Sequence, residues 1–269
     1  MIPKRIHYCW FGGAPLSQLA IKCIESWKKY CPDYEIIEWN ESNFDINCCD
    51  YAREAYDAKK WAFVSDVARL YALVNYGGIY MDTDVEVLRP LDNFLHYDAL
   101  SGFESKERVS TGLMACQKGQ RLFEELLHDY SRAHFLKEDG SYDYTTNVER
   151  ITKICLKYGL CLDNTMQTVN GFTLFPRDFF CPKDYITRIT TLTQNTYAIH
   201  HFDGSWLSEE DRYAAEICRK FIKVLPRKEA GYLAKFFAVV KFRGIKKGMF
   251  EIICWIQRKK EKYQKYRHL

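Results

Sequence analysis

The chain has 269 residues, 47% of them hydrophobic and 16% aromatic, enough to bury a substantial core, and one α/β domain with a tail is the expected organisation. Its 11 cysteines are odd in number, include the adjacent pair Cys48-Cys49 and form no CxxC pair, which speaks against a disulfide framework and a structural zinc site and suits reduced thiols in a cytosol. The opening Met1-Ile2-Pro3-Lys4-Arg5-Ile6 lacks the apolar core of a secretory signal, and no window reaches the ~18 uninterrupted apolar residues of a membrane-spanning helix.

The net charge of +4 conceals a segregation. Residues 227–269 hold 13 Lys/Arg against 3 Asp/Glu, or +10, and the preceding 226 residues hold 26 against 32, or −6. Such asymmetry points to a polyanionic partner, either nucleic acid or an anionic membrane.

Taken in order, residues 4–10 alternate into a strand that ends at the flexible Phe11-Gly12-Gly13-Ala14-Pro15. Trp10 therefore stands at a strand's carboxyl end, where it suits stacking on a nucleobase or covering the rim of the core equally well. Leu16, Leu19, Ala20, Cys23, Ile24 and Trp27 recur at helical spacing over 16–30, and 34–39 reads as a second strand. The β-α-β opening predicts a parallel pair with a right-handed crossover. After the polar stretch 40–50, residues 61–76 read as a buried helix closed by Gly77-Gly78. Its polar exceptions, Ser65, Asp66 and Arg69, share one side at i, i+3 and i+4. They suit either a structural ion pair or a sugar or phosphate ligand.

Residues 79–88 read as a strand bearing Asp82 and Asp84 on one face. In an extended chain those carboxylates lie about 6.5–7 Å apart, too far for one small ion to bond both, so one binds directly and the other through water or a ligand hydroxyl. Oxygen ligands favour Mg²⁺ or Mn²⁺. A solvated turn at a strand end accommodates the same residues, and Asp-x-Asp alone matches often by chance.

The surroundings add to it. Ile6-His7-Tyr8-Cys9-Trp10-Phe11-Gly12-Gly13, then Ser65-Asp66-Val67-Ala68-Arg69, then Tyr76-Gly77-Gly78-Ile79-Tyr80-Met81-Asp82-Thr83-Asp84 together resemble the DXD-containing glycosyltransferases of family 32. That group includes capsular and O-antigen polysaccharide enzymes and yeast α-mannosyltransferases, and it is similar to the glucosylating domains of large clostridial toxins. The resemblance implies an α/β GT-A fold with a mostly parallel sheet, a nucleotide-sugar donor, a divalent cation (Mn²⁺ or Mg²⁺) and retention of anomeric configuration. It also implies that Trp10 stacks on the base with Tyr8 beside it, that Ser65, Asp66 and Arg69 hold donor sugar and diphosphate, that Tyr80 supports the diphosphate, that Asp82 contacts ribose and the metal's water, and that Asp84 ligates the metal.

Downstream, 98–104 and 110–116 read as strands, 122–135 as a helix, and 137–145, without apolar period, as a mobile loop over the acceptor site. Relatives often carry Thr-Gly-Pro at the next helix start, where this chain has Thr145-Thr146-Asn147. Residues 172–182 resemble the family's late strand and aromatic loop. Tyr197-Ala198-Ile199-His200-His201-Phe202-Asp203-Gly204-Ser205-Trp206 is the second informative run. By resemblance, His200, His201 or Ser205 completes the metal shell and Trp206 covers the diphosphate; strand neighbours face opposite ways, so spacing leaves the two histidines open, with His200 slightly preferred.

A helix over 207–225 leads to Pro226, which separates the expected catalytic domain, 1–226, from a tail, 227–269, whose apolar residues recur at helical spacing among lysines and arginines. The expected function is a retaining hexosyltransferase using a UDP-hexose (galactose, glucose or an N-acetylated form), with GDP-mannose as the alternative donor and a lipid-linked surface glycan as acceptor. The tail is expected to dock on the anionic cytoplasmic leaflet, without nucleic acid. A phosphohydrolase with Asp82 as nucleophile is disfavoured by Glu86 and by the strands that precede the motif. A non-catalytic carbohydrate- or membrane-binding relative is disfavoured by the presence of Asp66, Arg69, Asp82 and Asp84 together.

Overall fold

Alternation across Arg5–Cys9 makes strand β1, with Ile6 and Tyr8 buried toward one side of the sheet and Cys9 toward the other. The computed structural model describes residues 1–204 and 207–250. Ser17 caps helix α1 (Gln18–Tyr30) by accepting the Ala20 N–H, and β2 (Glu35–Trp39) returns parallel to β1. Helix α2 (Asp50–Asp57) lies in a region expected to be irregular; it buries only Tyr51, Ala52 and Ala55. Helix α3 (Trp61–Tyr76) is buried on several sides. It ends at Gly77, whose φ of 65° and ψ of −176° belong to a region open only to glycine. The next residue starts β3 (Gly78–Met81), parallel to β1.

Then come β4 (Val85–Val87), β5 (Ala99–Ser105), β6 (Arg108–Val109), β7 (Leu113–Cys116), α4 (Arg121–Ser131) and α5 (Asn147–Lys157), followed by β8 (Gln167–Val169), β9 (Phe172–Phe175) and β10 (Ala198–His200). The main sheet runs β2-β1-β3-β7-β5-β9-β8, with β6 on β5. From the pairings, β1, β2, β3, β5 and β9 point one way and β7 and β8 the other, which is the mostly parallel α/β sheet expected. Along β3, Tyr80 enters the apolar cluster that includes α2 to α5, whereas Ile79 and Met81 enter the one that includes α1. The carboxyl ends of β1, β3 and β5 share one edge.

Two polar ties fix β3 and β4 against their neighbours. Neutral His7, its pKa lowered by burial, accepts the Trp39 indole N–H at 3.2 Å and donates to the Gly77 carbonyl at 2.8 Å. On the other side, the Trp27 indole donates to the Val85 carbonyl at 2.7 Å, and the Val87 N–H donates to Ser26 Oγ at 2.9 Å.

The segment expected as a mobile loop is tied internally, with Tyr142 stacked on Phe135 and Asp143 paired with Arg150 at 2.7 Å. The chain divides at Asp203/Gly204 into two units, earlier than the boundary expected at Pro226. In the second unit α6 (Glu209–Phe221) and α7 (Arg227–Arg243) run antiparallel, joined by Phe221 against Phe237, Tyr213 against Phe242, and Arg243 on Glu210 at 2.7 Å. Helix α6 thus belongs with the basic segment. Tyr232, Phe237, Phe242, Ile245, Met249 and Phe250 remain exposed, and no described helix is long and apolar enough to cross a membrane.

A Cβ at Gly77 would meet the Lys118 N at 2.7 Å. Gly77→Ala is therefore expected to lower stability by about 1–3 kcal/mol from backbone strain alone, read from urea denaturation; an unchanged midpoint would contradict the packing described here.

Candidate metal centre

The run expected as one strand breaks at the two aspartates. The Asp82 N–H donates to the Gly112 carbonyl, and the Val85 N–H closes a turn on the Asp82 carbonyl at 2.9 Å. Asp82 and Asp84 are half-buried in that turn. The spacing expected of an extended chain is thereby overturned: one ligand atom each from Asp82, Asp84 and His200 lie within 4.8 Å of one another.

His200 arrives on β10, antiparallel to β4 and opposite Val85. Its ring lies over Gly112, in the bend before β7, where a Cβ would come within 2.8 Å of the imidazole, so glycine gives the ring its room there. His201 faces elsewhere: its Nε2 lies 2.8 Å from Glu86, which Lys22 also holds at 2.8 Å. Alternation along β10 thus sends one histidine into the cluster and the other to Glu86.

Asp84 accepts the Asp203 N–H at 2.7 Å through one oxygen and faces His200 Nε2 at 3.2 Å through the other. Burial alone would raise the Asp84 pKa, but the His200 charge prevails and brings it down to about 2. Burial alone would lower His200, and the Asp84 carboxylate instead raises it well above the ordinary imidazole range.

On α3, the charges at Asp66 and Arg69 form a buried network that reaches the turn. Arg69 Nη2 holds Asp66 at 3.1 Å, Nη1 holds Asp82 at 3.1 Å and the Thr111 carbonyl at 3.1 Å, and Nε donates to the Ser65 carbonyl at 3.2 Å. Four of the five guanidinium N–H groups are engaged in this way. The guanidinium lies 4.5 Å over the Tyr80 ring, and the Tyr80 hydroxyl donates to Asp82 Oδ1 at 2.8 Å. Burial pushes the Asp66 carboxyl up to about 6 against the opposing pull of Arg69, and burial carries the Tyr80 phenol well above its usual value. The Ser65 hydroxyl is turned back to the Trp61 carbonyl at 3.0 Å.

These residues fit a hard divalent cation. Ligands on opposite sides of an octahedral ion with bonds of about 2.1 Å lie about 4 Å apart, which small side-chain rotations reach from the present spread. The two carboxylates suit Mn²⁺ or Mg²⁺, and the imidazole favours the transition metal of the two. Asp82 Oδ2 makes no hydrogen bond among the described residues and is available to such an ion.

Other expected site residues lie apart from this cluster. Tyr8 is buried, edge-on to Trp27, with its hydroxyl donating to Glu38 at 2.6 Å. Half-buried Trp10 donates to the Ala14 carbonyl at 2.6 Å. Ser205 and Trp206 lie outside the described residues. Four positions had no assigned role in the sequence: Gly112 beneath His200, Asp203 on Asp84, Cys181 with its Sγ 3.9 Å from His200 Nδ1, and Glu104, whose carboxyl burial pushes up against the pull of His200 and Arg108. Only Asp203, three residues beyond His200, carried a local signal.

Residues 17–100 match the family described as the glycosyltransferase sugar-binding region containing DXD motif. The chain is 32% identical over 142 residues to inositol phosphoceramide mannosyltransferase 3 of Schizosaccharomyces pombe, covering 50% of this chain and 38% of that one. It is 25% identical over 163 residues to lactosylceramide 4-alpha-galactosyltransferase of Mus musculus, covering 55% and 43%. It thus spans less than half the length of either relative. Among solved structures it is similar to PaToxG glycosyltransferase, with a TM-score of 0.45 at 18% identity over 58% of this chain and 69% of that one.

A cation that takes the His200 nitrogen must displace its proton. Mn²⁺ affinity is therefore expected to rise about tenfold per pH unit until the imidazolium has titrated, with one proton released per ion. Calorimetry in buffers of different ionisation enthalpy measures both, and a flat affinity profile without proton release would exclude His200 as a ligand.

Proposed function

We propose, from the match of residues 17–100 to the sugar-binding region of DXD-containing glycosyltransferases, that the protein is a metal-dependent, retaining glycosyltransferase of GT-A architecture that moves a hexose from a nucleotide sugar to a lipid-borne glycan. The observation that carries this reading is the convergence of Asp82, Asp84 and His200 at the carboxyl edge of the sheet, beside the Asp66–Arg69 pair. Ligands of open α/β sheets gather beyond that edge.

In this reading Asp82, Asp84 and His200 would hold Mn²⁺ or Mg²⁺. The bound ion supplies positive charge to the diphosphate as the sugar departs. Arg69 fixes the Asp82 carboxylate through Oδ1, and Tyr80 does the same from the strand. Asp66 accepts a hydroxyl of the transferred sugar. Trp10 and Tyr8, at and near the carboxyl end of β1, border the base. Retention follows from attack on the face that the leaving group departs: the acceptor oxygen bonds to the anomeric carbon, the glycosidic electron pair passes to the phosphate oxygen, and that oxygen takes the acceptor's proton. No protein nucleophile is then required.

A UDP-hexose is the preferred donor and GDP-mannose the alternative, which the name of the S. pombe relative supports. Both relatives act, by name, on ceramide-borne head groups, which supports a lipid-linked acceptor. The exposed aromatic and aliphatic residues of α7 and the residues after it, interspersed with lysines, suit docking on an anionic cytoplasmic leaflet.

Asp84→Asn is expected to fold normally yet lose Mn²⁺-dependent donor hydrolysis by about a hundredfold or more, measured with UDP-galactose, UDP-glucose, their N-acetylated forms and GDP-mannose. Near wild-type turnover at low Mn²⁺ would overturn the metal assignment. The full chain should also co-sediment with vesicles containing anionic lipid, and Lys246→Glu with Lys247→Glu should weaken this about fivefold or more per residue. Binding indifferent to salt and to anionic lipid would remove the docking proposal.

A further inference from the structure

The network around Arg69 leaves a charge unaccounted for. Four of its N–H groups serve Asp66, Asp82 and two carbonyls, so little remains for a departing diphosphate. A different cation stands on the segment that carries Cys181 to His200, within electrostatic reach of Asp84 and Asp203. Lys183 is half-buried, and its ammonium makes no hydrogen bond or ion pair among the described residues.

Its position is fixed by the segment that carries it. Cys181, two residues earlier, approaches His200. Lys183 bridges to Thr190, the Thr191 N–H donates to the Pro182 carbonyl at 3.2 Å, and Arg188 donates to the His201 carbonyl at 3.0 Å and to that of Phe202. Cys181 and Arg188 thus fasten this segment to His200 and to the two residues that follow it. The adjacent Asp184 is occupied, accepting the Ile186 and Thr187 N–H groups and facing Arg177 at 3.7 Å. Burial and the Arg188 charge lower the Lys183 pKa, against the pull of Asp84 and Asp203. A partly desolvated ammonium without a partner is costly, and an anion placed beside it recovers that cost.

We propose that Lys183 binds the diphosphate of the donor from the Asp84 side of the metal centre. The proposal rests on the glycosyl-transfer reading above. The glycosidic electron pair passes to a phosphate oxygen, and Lys183, keeping its proton, stabilises the charge that accumulates there.

The test uses the full chain, with Mn²⁺ alone and with UDP or GDP at saturating Mn²⁺, measured by calorimetry. Removing a positive charge near Asp84 cannot weaken cation binding unless the site is disrupted. Lys183→Met is therefore expected to bind Mn²⁺ as well as the wild type or better, and to bind the accepted nucleoside diphosphate about tenfold or more weakly. Lys183→Arg should restore that affinity to within about threefold, since the charge-assisted contact is kept. Unchanged UDP and GDP binding in Lys183→Met overturns the proposal, as does parallel loss of Mn²⁺ and nucleotide, which marks a structural role. If the wild type binds Mn²⁺ but neither nucleotide, the glycosyl-transfer reading fails and this inference with it.

Discussion

Like-charge repulsion at one edge of the sheet is the constraint on which the rest of the first unit depends. Asp82 and Asp84 stand in one short turn, and Asp66 is tied to the same guanidinium as Asp82. Two unit charges about 5 Å apart repel by about 3 kcal/mol at the effective dielectric of a partly buried site. Arg69 answers two of the carboxylates and His200 the third. Helix α3 must therefore lie against the sheet closely enough to place Arg69 over Tyr80. The glycine turn between α3 and β3, held by His7, sets that approach.

The two counter-charges differ in kind. Arg69 stays protonated at any physiological pH, so its pairing with Asp82 is permanent and positions an oxygen. His200 is removable as a cation: when its proton leaves, the same nitrogen offers a lone pair to a cation. The centre thus holds its acidic residues in place by one fixed charge and one exchangeable charge. Removing Arg69 would strand the buried Asp66 and the half-buried Asp82, and breaking a buried pair generally costs about 3–5 kcal/mol. Stability and activity are therefore entangled at this residue.

Much of this was legible in the residues. Period 3.6 marked α1, with its start placed two residues early, and an apolar surface closed by Gly77-Gly78 bounded α3. The α/β class followed from the order of those elements. The turn at Asp82–Asp84 was open only as an alternative to a continuous strand, because the β-branched Thr83, Val85 and Val87 continue the strand pattern while the turn is held by the distant Gly112 carbonyl and Asp203 N–H. Helix α2 was missed because its buried stripe is only Tyr51, Ala52 and Ala55. The choice between His200 and His201 depends on how β10 registers on β4, a pairing that local pattern does not encode. Lys183 lay just beyond the run read over 172–182 and Glu104 at the end of a plain strand, and their surroundings emerge only from the folded chain.

The hydrogen bond between Asp84 and the Asp203 N–H spans 119 residues, and His200 belongs to the same late segment. At ordinary elongation rates, roughly ten seconds separate the synthesis of the aspartates from that of their last partners. During that interval a nascent chain can form β1, α1, β2, α3 and β3, yet Asp84 still lacks its counter-charge. The matched region at residues 17–100 is thus a half-site in time as well as in sequence. The centre is completed only when the segment carrying β10 emerges and pays the entropy of closing that long loop.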